Sequence, residues 1–405
     1  MLKTIFNLEI DYKNRVFGLD IIRTVAVLLV VLGHSDRLLG KTLDYHPVLR
    51  WLFKYVFVFY LDGVDLFFVL SGFLIGGILI KIIQQNDHFT FSILRHFWKR
   101  RWLRTLPNYY LILIANLVLW FFITTQEQRS FSWQMLSDLQ VFKYLFFVQN
   151  LYQPCPPFFT ESWSLAVEEW FYLLLPLFFM LLLGIAKGFG LIDKVGTKSQ
   201  KKRIILLTLG TFLLAATLLR FYKVSFAVLP ISTFDAGNLY RTIVLPRLDS
   251  LMFGVFGAFI KYFYSTFWHK IKISAFVLGI FIIYFLKISS HNQSILSSIF
   301  DLYLFTTRLS VQSLAILCLF PLIDNFSQIK SSFFRTTVTY ISLASYSVYL
   351  LNLLLINTIT HFISPLFPQT YFYESMIYVS FWIILVGLSI VIYKYFEKPI
   401  MLLRE

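Results

Sequence analysis

Apolar runs of about twenty residues, each long enough to cross roughly 30 Å of hydrocarbon as a helix, recur along this whole chain. They fall near residues 19–40, 55–80, 107–124, 163–186, 203–222, 243–264, 271–288, 302–324, 337–360 and 374–396. The expected fold is therefore an all-α integral membrane protein, a polytopic bundle of about ten transmembrane helices. The connections are short, so residues 1–405 read as a single membrane domain with no fused soluble domain. Composition agrees: 14% of residues are charged, where soluble domains average about 25%. The 46 Phe and 23 Tyr suit lipid-facing surfaces and interfacial belts.

The net charge of +15 raises a nucleic-acid partner, but the Lys and Arg residues cluster in the gaps between apolar runs, where topology places them. No nucleic-acid partner is expected. Lys3, Lys13 and Arg15 precede the first run. Lys81, Arg95, Lys99, Arg100, Arg101 and Arg104 follow the second, and Lys187, Lys194, Lys198, Lys201, Lys202 and Arg203 follow the fourth. Residues 361–373 carry no Lys or Arg. Both termini are expected to face the cytoplasm. Residues 1–17 are mixed and charged and do not read as a cleaved signal. Two cysteines, Cys155 and Cys318, offer neither a disulfide framework nor a thiolate site, and no histidine pair has ligand spacing, so no metal is expected.

Ionisable groups inside membrane segments are costly, so each needs an explanation. Arg23 and His34 both lie in the first run. Eleven residues make about three helical turns, so the two side chains share a face roughly 16 Å apart along the axis. A guanidinium suits phosphate and an imidazole can act as a base at neutral pH. An arginine snorkelling to lipid phosphate and a histidine capping near the far interface fit the spacing equally well. Asp65, in Gly63-Val-Asp-Leu-Phe-Phe-Val-Leu-Ser-Gly72, enters an apolar helix, while Asp62 reads as its N-cap and Ser71-Gly72 as a small notch for close helix approach. Arg101 and Arg104 share a helix face, with Pro107 placed to begin the next helix; they enforce topology or hold a phosphate from the cytosol. Ser164, Glu168 and Tyr172 fall at i, i+4 and i+8, and of the adjacent acids Glu168 and Glu169 the former is expected to be the buried one. Arg247-Leu-Asp249 reads as a structural ion pair at the membrane edge, and Pro399 as the stop of the last helix.

Taken in order, these stretches resemble the acyltransferase-3 family of bacterial membrane O-acyltransferases over nearly the whole chain. The resemblance is carried by Arg23-x10-His34, Gly63 to Gly72, Arg101-x2-Arg104-x2-Pro107, Trp163-Ser-Leu-Ala-Val-Glu168-x2-Phe171-Tyr172, Arg247-Leu-Asp249 and Glu397-Lys-Pro399. One departure is Asn352, where the family often has a histidine after Ser-Tyr-x-x-Tyr-Leu-Leu. The resemblance implies a multi-pass protein of the bacterial inner (plasma) membrane. It implies transfer of an acyl group, most often acetyl, from cytoplasmic acyl-CoA to a hydroxyl of an extracytoplasmic or lipid-linked saccharide. O-antigen, exopolysaccharide, peptidoglycan and a lipid-linked sugar are all candidate acceptors, with membrane lipids as surroundings. On this reading Arg23, Arg101 and Arg104 bind the donor's phosphates, His34 is the base or accepts the acyl group, and Asp65 or Glu168 orients the imidazole or holds the acceptor. The rival reading is a transporter or flippase of a glycan or acylated metabolite, which matched broken helices in two inverted halves would favour; neither halves nor breaks of that kind are visible.

Overall fold

The computed structural model describes residues 15–52, 63–86, 89–126, 140–190, 197–290, 295–296, 298–326, 332–368 and 370–404. Ten helices carry the architecture. They are α1 (Phe17–Ser35), α2 (Gly63–Gln85), α3 (Phe91–Gln126), α4 (Ser162–Gly188), α5 (Lys198–Ser225), α6 (Val244–Phe263), α7 (Lys272–Ser290), α8 (Ile299–Ile323), α9 (Ser332–Thr358) and α10 (Tyr371–Ile392). Among the described residues eight helices are long and apolar enough to cross a membrane unaided. The run expected at 243–264 is α6, which joins a short preceding helix at a bend of more than 40°, and the run at 271–288 is the shorter apolar helix α7. The chain is a multi-pass membrane protein. Asp62 lies outside the described residues.

Local sequence explains several boundaries. Thr197 accepts from the backbone N–H of Gln200 while the Gln200 side chain accepts from the backbone N–H of Thr197, a reciprocal cap that opens α5. Ser298 and Asp301 do the same for α8. Two prolines behave differently from their reading as boundaries. Pro107 lies inside the 36-residue helix α3, and the Tyr346 hydroxyl donates to the Thr105 carbonyl beside it at 2.9 Å. Pro399 opens a last short helix, Lys398–Leu402, after a π-helical turn at Tyr393–Glu397. Membrane helices tolerate prolines where neighbouring groups satisfy the backbone.

The chain divides into two compact units. The first comprises Met1–Val64, Arg100–Leu139 and Phe326–Glu405. Within it α9 packs along α1 and α10 packs on α9. Asp20 meets Ser342 and His34 meets Asn352, so α1 and α9 run parallel. Thr24 on α1 donates to the Val338 carbonyl at 2.9 Å, and Glu374 in the first turn of α10 accepts from both the backbone and the hydroxyl of Thr42 at 2.8 Å.

The second unit comprises Asp65–Lys99 and Gln140–Asn325. Its centre is the crossing of α2 and α6, where backbone meets backbone. A Cβ on Gly72 would overlap the Leu251 carbonyl, one on Gly76 would lie 2.8 Å from the Leu251 neighbour Val255 at its Cα, and one on Gly254 would overlap the Val69 carbonyl. Lipid tails are as apolar as leucine, so helices in a bilayer associate through this kind of close fit and through polar bonds. Here both occur together: α8 adds Ser313, whose hydroxyl donates to Ser250 on α6 at 2.9 Å. A two-residue antiparallel pairing, Ile231–Ser232 with Ile295–Leu296, is the only strand pairing among the described residues. The glycine crossing yields a direct test. Gly72→Ala and Gly254→Ala each insert a methyl into backbone and should cost about 1–3 kcal/mol or more. Gly77→Ala, where a Cβ meets nothing within 4 Å, should leave the thermal midpoint of the detergent-solubilised protein unchanged.

Candidate functional site

The polar face of α1 is built around Asp20. This carboxylate is 3% exposed and sits in the first turn, where the helix dipole favours an acid. Arg15 grips it with two bonds, Nε to Oδ2 at 2.9 Å and Nη2 to Oδ1 at 2.5 Å. The Ser342 hydroxyl donates to it at 2.7 Å. Arg23, one turn further on, donates to Ser342 at 3.1 Å and reaches Asp20 at 3.4 Å. Arg23 is thus half-buried and oriented by its own unit rather than by lipid alone. Sequence reading missed Asp20, although its i, i+3 spacing to Arg23 was a usable signal.

Three turns along the same face, in the last turn of α1, His34 Nδ1 lies 2.6 Å from Asn352 Oδ1. Asn352 is fully buried on α9 and also bonds the Tyr349 carbonyl through Nδ2. The residue that meets the imidazole is therefore the position noted in the sequence as a departure from the family pattern.

Arg101 and Arg104 lie half-buried on α3, and the first unit adds a cation beyond them. Burial and the charges of Arg104 and Arg100 lower the proton affinity of Arg404, so these guanidiniums crowd one another. Glu397, 4% exposed, lies among them and is held by the Ser347 hydroxyl at 3.1 Å, which itself accepts from Asn108 at 2.9 Å. A cluster with more cations than carboxylates suits a polyanion. Arg404 was not singled out in the sequence, because its neighbour Arg104 is far away along the chain.

In the second unit Asp65 is 1% exposed and forms a buried ion pair with Arg247, and its other oxygen accepts from Gln312 at 3.0 Å. Arg247 therefore does not pair with Asp249, as its spacing had indicated. Asp249 instead accepts from Arg220 at 2.7 Å and from Ser310 at 2.5 Å. Four helices, α2, α5, α6 and α8, are tied by these two separate pairs. Glu168 keeps different company: Ser71 donates to Oε1 at 3.0 Å and Tyr172 to Oε2 at 2.7 Å. The expected Glu168–Tyr172 face is present, whereas Ser164 turns back to the Glu161 carbonyl at 3.3 Å. Of the adjacent acids it is Glu169 that is buried, at 8% exposure, while Glu168 is half-buried, because position 168 opens toward Ser71 and Tyr172. Just before α4, burial raises the carboxyl pKa of Glu161 to about 8, so it is largely protonated near neutral pH.

Removing one partner of a buried pair leaves a stranded charge, at a cost of about 3–5 kcal/mol. Arg247→Met should accordingly depress the thermal midpoint sharply, and Asp65→Asn combined with Arg247→Met should recover most of the loss. A single substitution no worse than the double would show that the pair does not hold α2 on α6.

The sequence matches the family described as an acyltransferase domain over residues 16–394. It is similar to a protein of Bacillus subtilis strain 168 provisionally named a peptidoglycan O-acetyltransferase, with 32% identity over 42% of this chain and 25% of that protein. It is also similar to the peptidoglycan O-acetyltransferase OatA of Listeria monocytogenes, with 28% identity over 45% of this chain and 29% of that protein. A Staphylococcus aureus strain COL protein provisionally named an O-acetyltransferase matches at 29% identity over 41% of this chain and 25% of its own length. The matched stretch thus spans under a third of each relative. No solved structure matches the chain. Since the family match runs through nearly every described helix, the chain belongs to the acyltransferase-3 family.

Proposed function

We propose that this protein transfers an acyl group, acetyl in the first instance, from acyl-CoA on the cytoplasmic side of the plasma membrane to a saccharide hydroxyl outside the cytoplasm. The observation that carries this reading is the polar face of α1, which runs from an oriented guanidinium at Arg23 to an imidazole held by a buried amide. Family membership supplies the reaction class. Relatives named as peptidoglycan O-acetyltransferases make peptidoglycan the first acceptor to test.

In this scheme the donor's phosphates engage Arg23, Arg101 and Arg104, with Arg404 beside Arg104 as a fourth cation. The excess of basic residues before α1 and around α3 supports a cytoplasmic placement of that cluster. His34 takes the proton of the acceptor hydroxyl as its oxygen attacks the thioester carbonyl. The carbon–sulfur bond breaks, and CoA leaves as thiolate and is reprotonated by the imidazolium. The alternative order, in which His34 first accepts the acyl group and then passes it on, uses the same residue. Glu168, between Ser71 and Tyr172, is the second group of this reading, as a binder of acceptor hydroxyls. Asp65 enters as the anchor of Arg247 rather than as a group touching substrate.

General-base assistance is worth about 10²- to 10⁴-fold. In a host lacking its own copy, the wild-type gene should raise alkali-releasable acetate on the envelope glycan, and His34→Ala at equal membrane abundance should leave it at the vector level. Restoration of acetylation by His34→Ala would overturn the assignment.

A further inference from the structure

The bond between His34 and Asn352 does more than hold a ring in place, and from it we infer that Asn352 is a positioning residue that fixes His34 as the Nδ1–H tautomer, leaving Nε2 as the basic nitrogen. This inference rests on the reading of His34 as the acting base, and it adds which ring nitrogen acts and what selects it.

The selection follows from donor and acceptor bookkeeping. An amide offers one acceptor oxygen and one donor nitrogen. Asn352 Nδ2 donates to the Tyr349 carbonyl, an acceptor only. Turning the amide over would set its oxygen against that carbonyl oxygen, in a place where Asn352 is fully buried and water is not at hand to relieve the repulsion. Oδ1 is therefore the atom presented to His34, at 2.6 Å. An oxygen acceptor calls for a donor, so Nδ1 carries the hydrogen. A neutral imidazole has a single N–H, so the lone pair is then at Nε2. Tyr349 and Asn352 sit three residues apart on α9, and the register of α9 against α1 brings this amide to the last turn of α1. A backbone carbonyl of α9 thus dictates the protonation pattern of a side chain on α1.

A neutral amide sets the tautomer without adding a charge. A carboxylate in the same place would stabilise the imidazolium and raise its pKa, typically by about 1–3 units. The titratable groups on the elements packed around His34 stay unchanged in the substitutions below. Among them are Asp36 and Arg37 just beyond it, Tyr349 on α9, and Glu374 and Tyr378 on α10.

The test has a kinetic and a spectroscopic arm on the purified full chain in detergent. Outer partners of a metal-bound histidine are typically worth about 10- to 100-fold, and the same scale is applied to this orienting amide. Asn352→Ala should lower kcat for acetyl transfer by roughly that factor with the KM for acetyl-CoA unchanged. Asn352→Asp should retain substantial activity but move the acidic limb of the kcat profile to higher pH by about 1 unit or more. Wild-type kcat and an unmoved limb in both variants would overturn the inference while leaving His34 as the base. Activity surviving His34→Ala would instead overturn the underlying reading. The spectroscopic arm is independent of turnover: with 15N-histidine labelling, seven imidazoles contribute, and the His34 signals are those lost in His34→Gln. A protonated Nδ1 and unprotonated Nε2 are expected above the imidazole pKa, with that preference lost in Asn352→Ala. The opposite pattern in the wild type would overturn the inference whatever the kinetics.

Discussion

A charge carried into a bilayer by a helix must find its counter-group within the protein, because the surrounding hydrocarbon offers none. In this chain that requirement sorts the polar residues into groups with different work. Asp65 with Arg247, and Asp249 with Arg220, are closed pairs with almost no exposure, and they join α2, α5, α6 and α8 where glycines already let backbones touch. Such pairs specify an arrangement more than they add stability, since desolvation offsets much of their attraction. The groups that are only half-buried, Arg23, His34 and Glu168, are held by neutral hydroxyls and amides as well. Neutral partners of this kind orient a side chain without cancelling its charge.

The same division of closed pairs from half-buried groups runs through each unit. In the first, Asp20 and Ser342 set the pose of Arg23, and Asn352 sets the pose of His34, so one helix face presents a guanidinium and an imidazole at fixed places along α1. In the second, the crossing of α2 and α6 positions Ser71 one residue from the notch at Gly72, where it donates to Glu168. The same short motif therefore carries packing at its glycine and polar contact at its serine.

Much of this was legible in the sequence, and the exceptions share a cause. Membrane spans are read from apolar length alone, so each of the ten helices overlaps a predicted run, although α3 begins at Phe91, well before residue 107, and residues 55–62 of the second run lie outside the described residues. Glu168 with Tyr172 was readable because an i, i+4 pair is local. The partner of Arg247 was not, since Asp65 lies 182 residues away and Asp249, two residues along, was a nearer but wrong candidate. Glu169 proved the more buried acid because burial depends on which helices flank α4, which periodicity does not report. Pro107 and Pro399 were read as boundaries by a rule of soluble helices, and the structure accommodates both within helical stretches. Asn352 was visible as a departure, but its work appears only when α9 is laid against α1.

In the proposed reaction this fold moves an acetyl group from CoA to a saccharide with His34 as the acting base. Purified protein supplied with acetyl-labelled acetyl-CoA and peptidoglycan fragments tests it most directly, by following label on the glycan and free CoA together. The two should appear in equal amounts, and both should fall to background in His34→Ala. Equal transfer by the wild type and the variant would contradict it.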